Sequence, residues 1–419
     1  VSPSKAHPAQ SHFDNIPILL LCVTIFLGFL TVAMPLPVIP ILVRHDLGFS
    51  DWIVGLTVGI QFFVTVSTRK FAGSTADRVG GHVSVRRGLA ACALAGATYQ
   101  VAAWYPGGPL AKLAVLWLGR IALGFGESLM LTGLLSWGVA LSGRARTGRV
   151  MSWVGMAVFS SLAVGAPLGL ALSNSYGFRS VGLAVTLLPL LALAVTVFVP
   201  RARTLPGGTV SFRRVVRLIW RPGLALGLQG VGFAGIGAFV SLYFTAQNWS
   251  GAGLSLSAFG GAFILARLIF GNMPDRFGGA KVVLGFFVVE ALGQAVMAGA
   301  ASSATALAGA ALTGFGCSMI FPCLGVETIR MTPPESRGSA LGAFAAFQDI
   351  ASGLTGPSTG FVAGLLGYRY VFVIGAVAAL AGLIVALPLL KDSSAQPEPD
   401  SAQDCAPAAE AVPDCGSCR

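Results

Sequence analysis

The sequence predicts an all-α membrane protein of twelve transmembrane helices, arranged as two pseudo-symmetric six-helix bundles. Three observations predict it. Of 419 residues, 55% are hydrophobic and 10% charged, with a mean hydropathy of +0.79, whereas a soluble domain carries about a quarter charged residues. The apolar residues fall into runs long enough to cross a bilayer, which takes roughly 20 residues of helix. A polar stretch between two such runs occurs twice, at an offset close to half the chain.

Apolar runs bounded by turn signals place the spans at 16–42, 52–71, 87–105, 110–139, 150–172, 180–199, 222–246, 254–273, 281–300, 305–329, 338–363 and 370–390. The chain then divides into an N-terminal segment (1–15), a first bundle (16–199), a basic linker (200–221), a second bundle (222–390) and a tail (391–419). The linker carries six arginines; its Val210–Trp220 part is either a short interfacial helix or a solvated connector whose charges enforce topology. The tail, rich in Ala, Pro, Ser and acid, is expected to be disordered. Pro35, Pro37 and Pro40 are expected to break the first span near one end, as a gating device or simply as its early end.

Sidedness follows from the 27 Lys and Arg residues. With the N-terminus inside, only Arg44, Lys112, Arg179 and Arg369 fall in outside segments, and Arg120 lies within a span. Such an imbalance places both termini in the cytoplasm. The net charge of +11 therefore reflects topology, and no basic face of the kind that binds nucleic acid is present. Cys22, Cys92, Cys317 and Cys323 lie in apolar runs, so the seven cysteines do not form a disulfide framework. No cleavable leader is evident, and the first span is expected to serve as the insertion signal.

The repeated stretch is Arg69-Lys-Phe-Ala-Gly73-Ser-Thr-Ala-Asp77-Arg78-Val-Gly80-Gly81 and then Arg267-Leu-Ile-Phe-Gly271-Asn-Met-Pro-Asp275-Arg276-Phe-Gly278-Gly279. The repeat extends into the spans: Gly124-Phe-Gly-Glu-Ser128 is echoed by Gly314-Phe-Gly-Cys-Ser318, and Gly165-Ala-Pro-Leu-Gly169 by Gly356-Pro-Ser-Thr-Gly360. The pattern Gly-x-x-x-Asp-Arg-x-Gly resembles the loop signature of the major facilitator superfamily, the twelve-helix secondary transporters, over residues 16–390. Its overall pattern is similar to the drug- and sugar-efflux branches, including arabinose-efflux-permease-like members. The resemblance implies two halves rocking about a midplane site. It further implies a latch, turned by Gly73 and Gly80, in which Asp77 pairs with Arg69, Arg78, Arg86 or Arg149 when the cytoplasmic side is closed, with Arg267, Gly271, Asp275, Arg276 and Gly278 as the second copy. Thr75 and Gly81-His82 depart from the family pattern.

Ionisable groups inside spans are functional candidates by default, because they are costly in hydrocarbon. Arg120 precedes Gly124-x-Gly126, as in the family's fourth-helix signature, and either faces a partner or snorkels to the interface. Glu127 follows it by two turns on one helix face and is the first candidate for a proton site. Asp349 in the eleventh span is the second. Glu290 in the ninth is weighed as a third, against structural hydrogen bonding within one half. Gln61, Gln229 and Gln294 either line the cavity or bridge helices. Gly165, Pro167 and Gly169 resemble the fifth-helix motif of antiporters, although Ala166 intervenes and no Gly-Gly pair closes it.

Other matches carry nothing. Gly230-Val-Gly232-Phe-Ala-Gly235 follows no strand and reads as helix packing. Asn248-Trp-Ser250 is a sequon relevant only to a secretory pathway. Cys405, Cys415 and Cys418, with no histidine nearby, point to a flexible tail ahead of a metal site. The expectation is a monomeric, non-enzymatic transporter of the bacterial inner membrane, without cofactor or metal, exporting a small organic solute against protons. Symport or uniport of a metabolite is the alternative within transport, and a non-transporting sensor or assembly factor the alternative outside it.

Overall fold

The computed structural model describes residues 16–143, 147–202, 212–333 and 337–390. Among them are twelve long helices: α1 Ile16–Ala33, α2 Asp51–Arg78, α3 Gly81–Trp104, α4 Pro109–Ser142, α5 Thr147–Tyr176, α6 Phe178–Val195, α7 Phe212–Ala246, α8 Ala252–Phe270, α9 Gly279–Ala298, α10 Ser303–Arg330, α11 Arg337–Leu366 and α12 Arg369–Ala386. All except α3 and α11 contain a window apolar enough to cross a membrane by composition. Those two are diluted by Arg86, Arg87 and Ser84 in α3, and by Gln348, Asp349 and small polar residues in α11. Both find their place by packing: α3 against α4 and α6, α11 against α2 and α7.

The breaks follow local chemistry. α1 ends at Ala33, the chain turns through Met34–Pro37, and a short helix Val38–Ile41 runs into one π-turn, Leu42–Asp46. The prolines interrupt the span as expected, since each removes a backbone donor. The polar stretch is different from a simple loop. In the first copy helix continues through Asp77 and Arg78, and the turn comes only at Gly80, with φ of 109°. In the second, α8 stops at Phe270, a short helix Met273–Phe277 follows, and Gly278 turns with φ of 84°. These two glycines hold a left-handed backbone that side-chain-bearing residues adopt at a cost.

The seventh helix begins ten residues before the expected span. Phe212–Trp220 is neither an interfacial helix nor a connector: it is continuous with α7, and Pro222 lies inside the helix. Val215 and Ile219, one turn apart, are buried in the core of the second half. That burial fastens the helix start to the bundle, and a proline within a helix disturbs only one turn.

Within each half the tightest pairs are equivalent, α3 with α4 and α9 with α10. Gly88 lies against the Gly126 carbonyl in the first, and Gly293 against Gly309 in the second. Small residues allow this approach, which stands in for the hydrophobic drive that lipid removes. Between the halves, α2 packs on α11 and α5 on α8. Gly55 meets the Gly356 carbonyl, Gly59 meets that of Gly353, and Gly360 meets that of Asp51. On the other seam, Gly253 lies against Pro167, and the Ser257 hydroxyl donates to Ala163 O at 2.7 Å.

Candidate functional site: a central cavity between the halves

These seams leave a cavity of about 770 Å³ between the halves. Its lining runs from Leu36, Val58 and Gly237 down to Gly271, Asn272 and Pro274, which belong to the second polar stretch. The cavity therefore faces the side bearing the repeated loops. The other side is shut by the glycine contacts and by a polar cluster at the start of α2. There Arg44 Nε lies 3.2 Å from Asp51 Oδ1, and the Tyr368 hydroxyl donates to the same oxygen at 2.7 Å. Asp51 belongs to the first half and Tyr368 to the second, so this hydrogen bond crosses the seam. Burial and the neighbouring Asp51 carboxylate push the Tyr368 phenol up to about 12.

Among the described residues, four charged side chains line the cavity, all on helices. Glu127, on α4, is 8% exposed. Its carboxylate accepts from Gln61 Nε2 at 2.6 Å, with the Thr65 hydroxyl at 3.5 Å. Thr65 also donates to Gln61 O and Gly124 O, so α2 and α4 are sewn together behind the acid. Arg69, one turn beyond Thr65 on α2, gives Nε to Asp349 Oδ2 of α11 at 2.5 Å. This ion pair bridges the halves, and the Arg69 charge is felt at Glu127 as well. Arg267, on α8, has Nη2 donating to Ser318 O at 2.7 Å and lies over the Phe263 ring at 5.3 Å. The remaining wall is mostly apolar and strongly aromatic, with Phe29, Phe62, Trp153, Phe159 and Phe233, interrupted by polar side chains such as Gln61, Gln229 and Gln348.

Sequence candidates separate into three groups. Glu127 and Asp349 reach the cavity, as do Gln61 and Gln229. Arg120 does not line it: 1% exposed, it donates Nε and Nη2 to Thr57 O and Val58 O at 3.0 Å, clamping α4 to α2. Snorkelling is excluded by that burial. Glu290 is also fully buried, inside the second half beside Gln294 and Cys317, and does not line the cavity.

Among the described residues, no latch candidate forms an ion pair with Asp77. Asp77 and Arg78 are exposed at the end of α2, with no ion pair among the described residues. Arg69 is engaged by Asp349, and Arg86 is tied to Thr196 through Nε at 3.1 Å and Nη2 at 3.2 Å. Gly73 has open space around it, Gly271 follows α8, and Arg276 is exposed. The side chains of Arg149 and Asp275 lie outside the described residues, as do the 1–15 and 391–419 segments with the tail cysteines. In the fifth-helix motif, Gly165 abuts Ala33 of α1, Gly169 the Met34 carbonyl, and Pro167 faces α8. That motif thus forms part of the shut end.

Sequence reasoning assigned Arg267 to the latch and missed it as a cavity residue. The signal was available: it is the repeat mate of Arg69. The Arg44–Asp51–Tyr368 cluster had no such signal, because its members are far apart in the chain.

Comparisons agree with this architecture. The family model described as Major Facilitator Superfamily matches residues 21–271 and 224–410. An uncharacterized MFS-type transporter of Salmonella typhimurium is 44% identical over 380 residues, covering 91% of this chain and 98% of that protein. Another from Burkholderia mallei is 40% identical over 364 residues, covering 87% and 89%. Among solved structures, a D-xylose–proton symporter superposes with a TM-score of 0.73 at 16% identity, covering 90% of this chain and 97% of that one. The human organic anion transporter MFSD10 gives 0.69 at 15% identity, covering 89% and 99%. At such identities these two structures speak to fold alone. Family model, close bacterial relatives and helical architecture converge: the chain belongs to the Major Facilitator Superfamily and is a multi-pass membrane transporter, not an enzyme.

Proposed function

We propose that the protein is a proton-coupled secondary transporter working by alternating access, with Glu127 as the proton-carrying acid. The observation that carries this reading is the chemistry around that carboxyl. Its hydrogen-bond partners, Gln61 and Thr65, are both neutral, so no cation is bonded directly to the carboxylate. Gln61 Oε1 is buried without a partner. Turning the amide would let that oxygen accept from a protonated Glu127, so one side chain serves both states. Asp349, by contrast, is held by Arg69 across the seam and acts as a charge contact between halves.

The bacterial inner membrane with both termini in the cytoplasm fits the placement of Lys and Arg, and puts the open face of this cavity inside the cell. Each chain holds a complete cavity, which supports a monomer as the working unit. The fifth-helix motif supports export by antiport. Symport is the second reading, favoured by one observation: Arg267 gives the cavity a cation without an acid partner among the described residues.

The test uses proteoliposomes with an imposed pH gradient and a pool of metabolites and drugs, followed by mass spectrometry. Wild type is expected to move at least one solute with the gradient, and Glu127→Gln to lose gradient-driven movement while still equilibrating that solute. Unimpaired coupling in Glu127→Gln, with coupling lost in Asp349→Asn, would reassign the proton to Asp349.

A further inference from the structure

We propose that the cavity recognises an organic anion, an aromatic or apolar body bearing a carboxylate or sulfonate, and that Arg267 seats the anionic group. This deepens the transport reading and rests on it. Arg267 lines the cavity, yet among the described residues its only hydrogen bond is to the Ser318 carbonyl, and its Nε is buried with no partner at all. No carboxylate pairs with it among those residues. A half-buried guanidinium whose Nε is buried and unspent is costly, and an incoming anion recovers part of that cost.

The repeat strengthens the point. Arg69 occupies the equivalent place in the first half and is neutralised by Asp349 of α11. With Gly165 matched to Gly356 and Gly169 to Gly360, the residue of α5 corresponding to Asp349 is Val158. The next residue, Phe159, stacks on Phe263 beneath the Arg267 guanidinium. Where the first half supplies an acid, the second supplies an aromatic floor and leaves the cation open. The acids that do line the cavity are engaged elsewhere: Asp349 by Arg69, and Glu127 by Gln61 and Thr65 on the opposite wall. Phe29, Phe62, Trp153 and Phe233 offer the apolar contacts that a ligand body needs.

A consequence concerns coupling. An anion on Arg267 and an ionised Glu127 repel within one low-dielectric chamber, so anion binding and protonation of Glu127 reinforce each other, and by linkage equally. Proton and solute then occupy the cavity together, so an anionic solute favours the symport reading over antiport.

The test is binding to the purified full-length protein in detergent, read as the ligand concentration that raises its unfolding temperature. The probes are benzoate, 2-naphthoate and indole-3-acetate, each compared with the amine and the alcohol on the same ring system. At least one carboxylate should bind about tenfold more tightly than its amine and alcohol counterparts, a difference of about 1.4 kcal/mol. Arg267→Gln should remove that preference. Gly155 supplies the second variant: a Cβ there would lie 3.5 Å from Arg267 Nη1, in ordinary contact. Gly155→Asp should therefore neutralise the arginine and abolish the preference with Arg267 in place, whereas Gly155→Asn should retain it. The proposal is overturned if no carboxylate outbinds its amine, or if Gly155→Asp and Gly155→Asn bind the carboxylate equally. A carboxylate that binds through Arg267 but is never moved across proteoliposomes would instead sink the transport reading and leave the anion site standing.

Discussion

The two walls of the cavity come from one repeated plan and carry different chemistry. Arg69 and Arg267 hold equivalent positions, but the first is locked to Asp349 across the seam and the second has only a carbonyl and an aromatic ring. Glu127 on α4 corresponds to Cys317 on α10, where the nearby acid is instead Glu290 of α9, set back from the cavity. Duplication explains the scaffold, with its paired helices and glycine contacts. On the proposed reading, the functional groups lie where the halves depart from each other, since a symmetric pair of neutralised arginines would leave nothing to bind an anion.

The sharpest way to break this asymmetry is at the acids. Glu127→Gln should abolish pH-driven transport in proteoliposomes, whereas Cys317→Ala at the equivalent place should leave coupling unchanged. Equal losses would mean that the two walls share the proton.

Next in size is the contrast between the arginines. Asp349→Asn strands the Arg69 charge in a mostly buried site and should destabilise the protein by about 3 kcal/mol in thermal or denaturant unfolding. Arg267→Gln removes a cation that has no carboxylate partner among the described residues and should cost far less, within about 1 kcal/mol. A reversed order would contradict the assignment of partners.

The shut end should respond more weakly. Tyr368→Phe removes one hydrogen bond across the seam, worth about 1 kcal/mol, and should increase thiol labelling of a cysteine at Leu36 from the outside. With its phenol pushed up to about 12 by burial and Asp51, Tyr368 stays protonated throughout the physiological range. Losing Tyr368 should therefore leave the pH profile of transport where it was, and a displaced profile would bring Tyr368 into the proton pathway. The smallest effect is expected at the loops: Asp77→Asn should make the state seen here slightly more populated, because Asp77 has no ion pair in it among the described residues. Unaltered accessibility of the cavity mouth would leave that loop a topological role only.

Much of this molecule was legible in its sequence. Span positions followed from apolar run length, the break after α1 from Pro35 and Pro37, and the two halves from the repeated Asp-Arg stretch. Glu127 and Asp349 stood out because carboxyls are rare in spans. The start of α7 was misplaced because Pro222 reads as a boundary, while the burial of Val215 and Ile219 that outweighs it is a tertiary fact. Arg120 stood out for the same reason as Glu127; in the structure its Nε and Nη2 go to backbone carbonyls of α2, while Nη1 is buried without a partner among the described residues. Contacts such as Arg69–Asp349 and Asp51–Tyr368 join residues from opposite halves, and no local spacing announces them.

The central claim, that the protonation state of Glu127 sets which way the halves lean, is tested most directly without any substrate. Spin labels at Ser152 of the first half and Asn272 of the second, both lining the cavity, would be introduced into a cysteine-free background, and their separation measured from pH 5 to 9. Wild type should shift between a short and a long distance as pH changes, and Glu127→Gln should hold one distribution throughout. A Glu127→Gln protein whose distances still follow pH as wild type does would contradict the account.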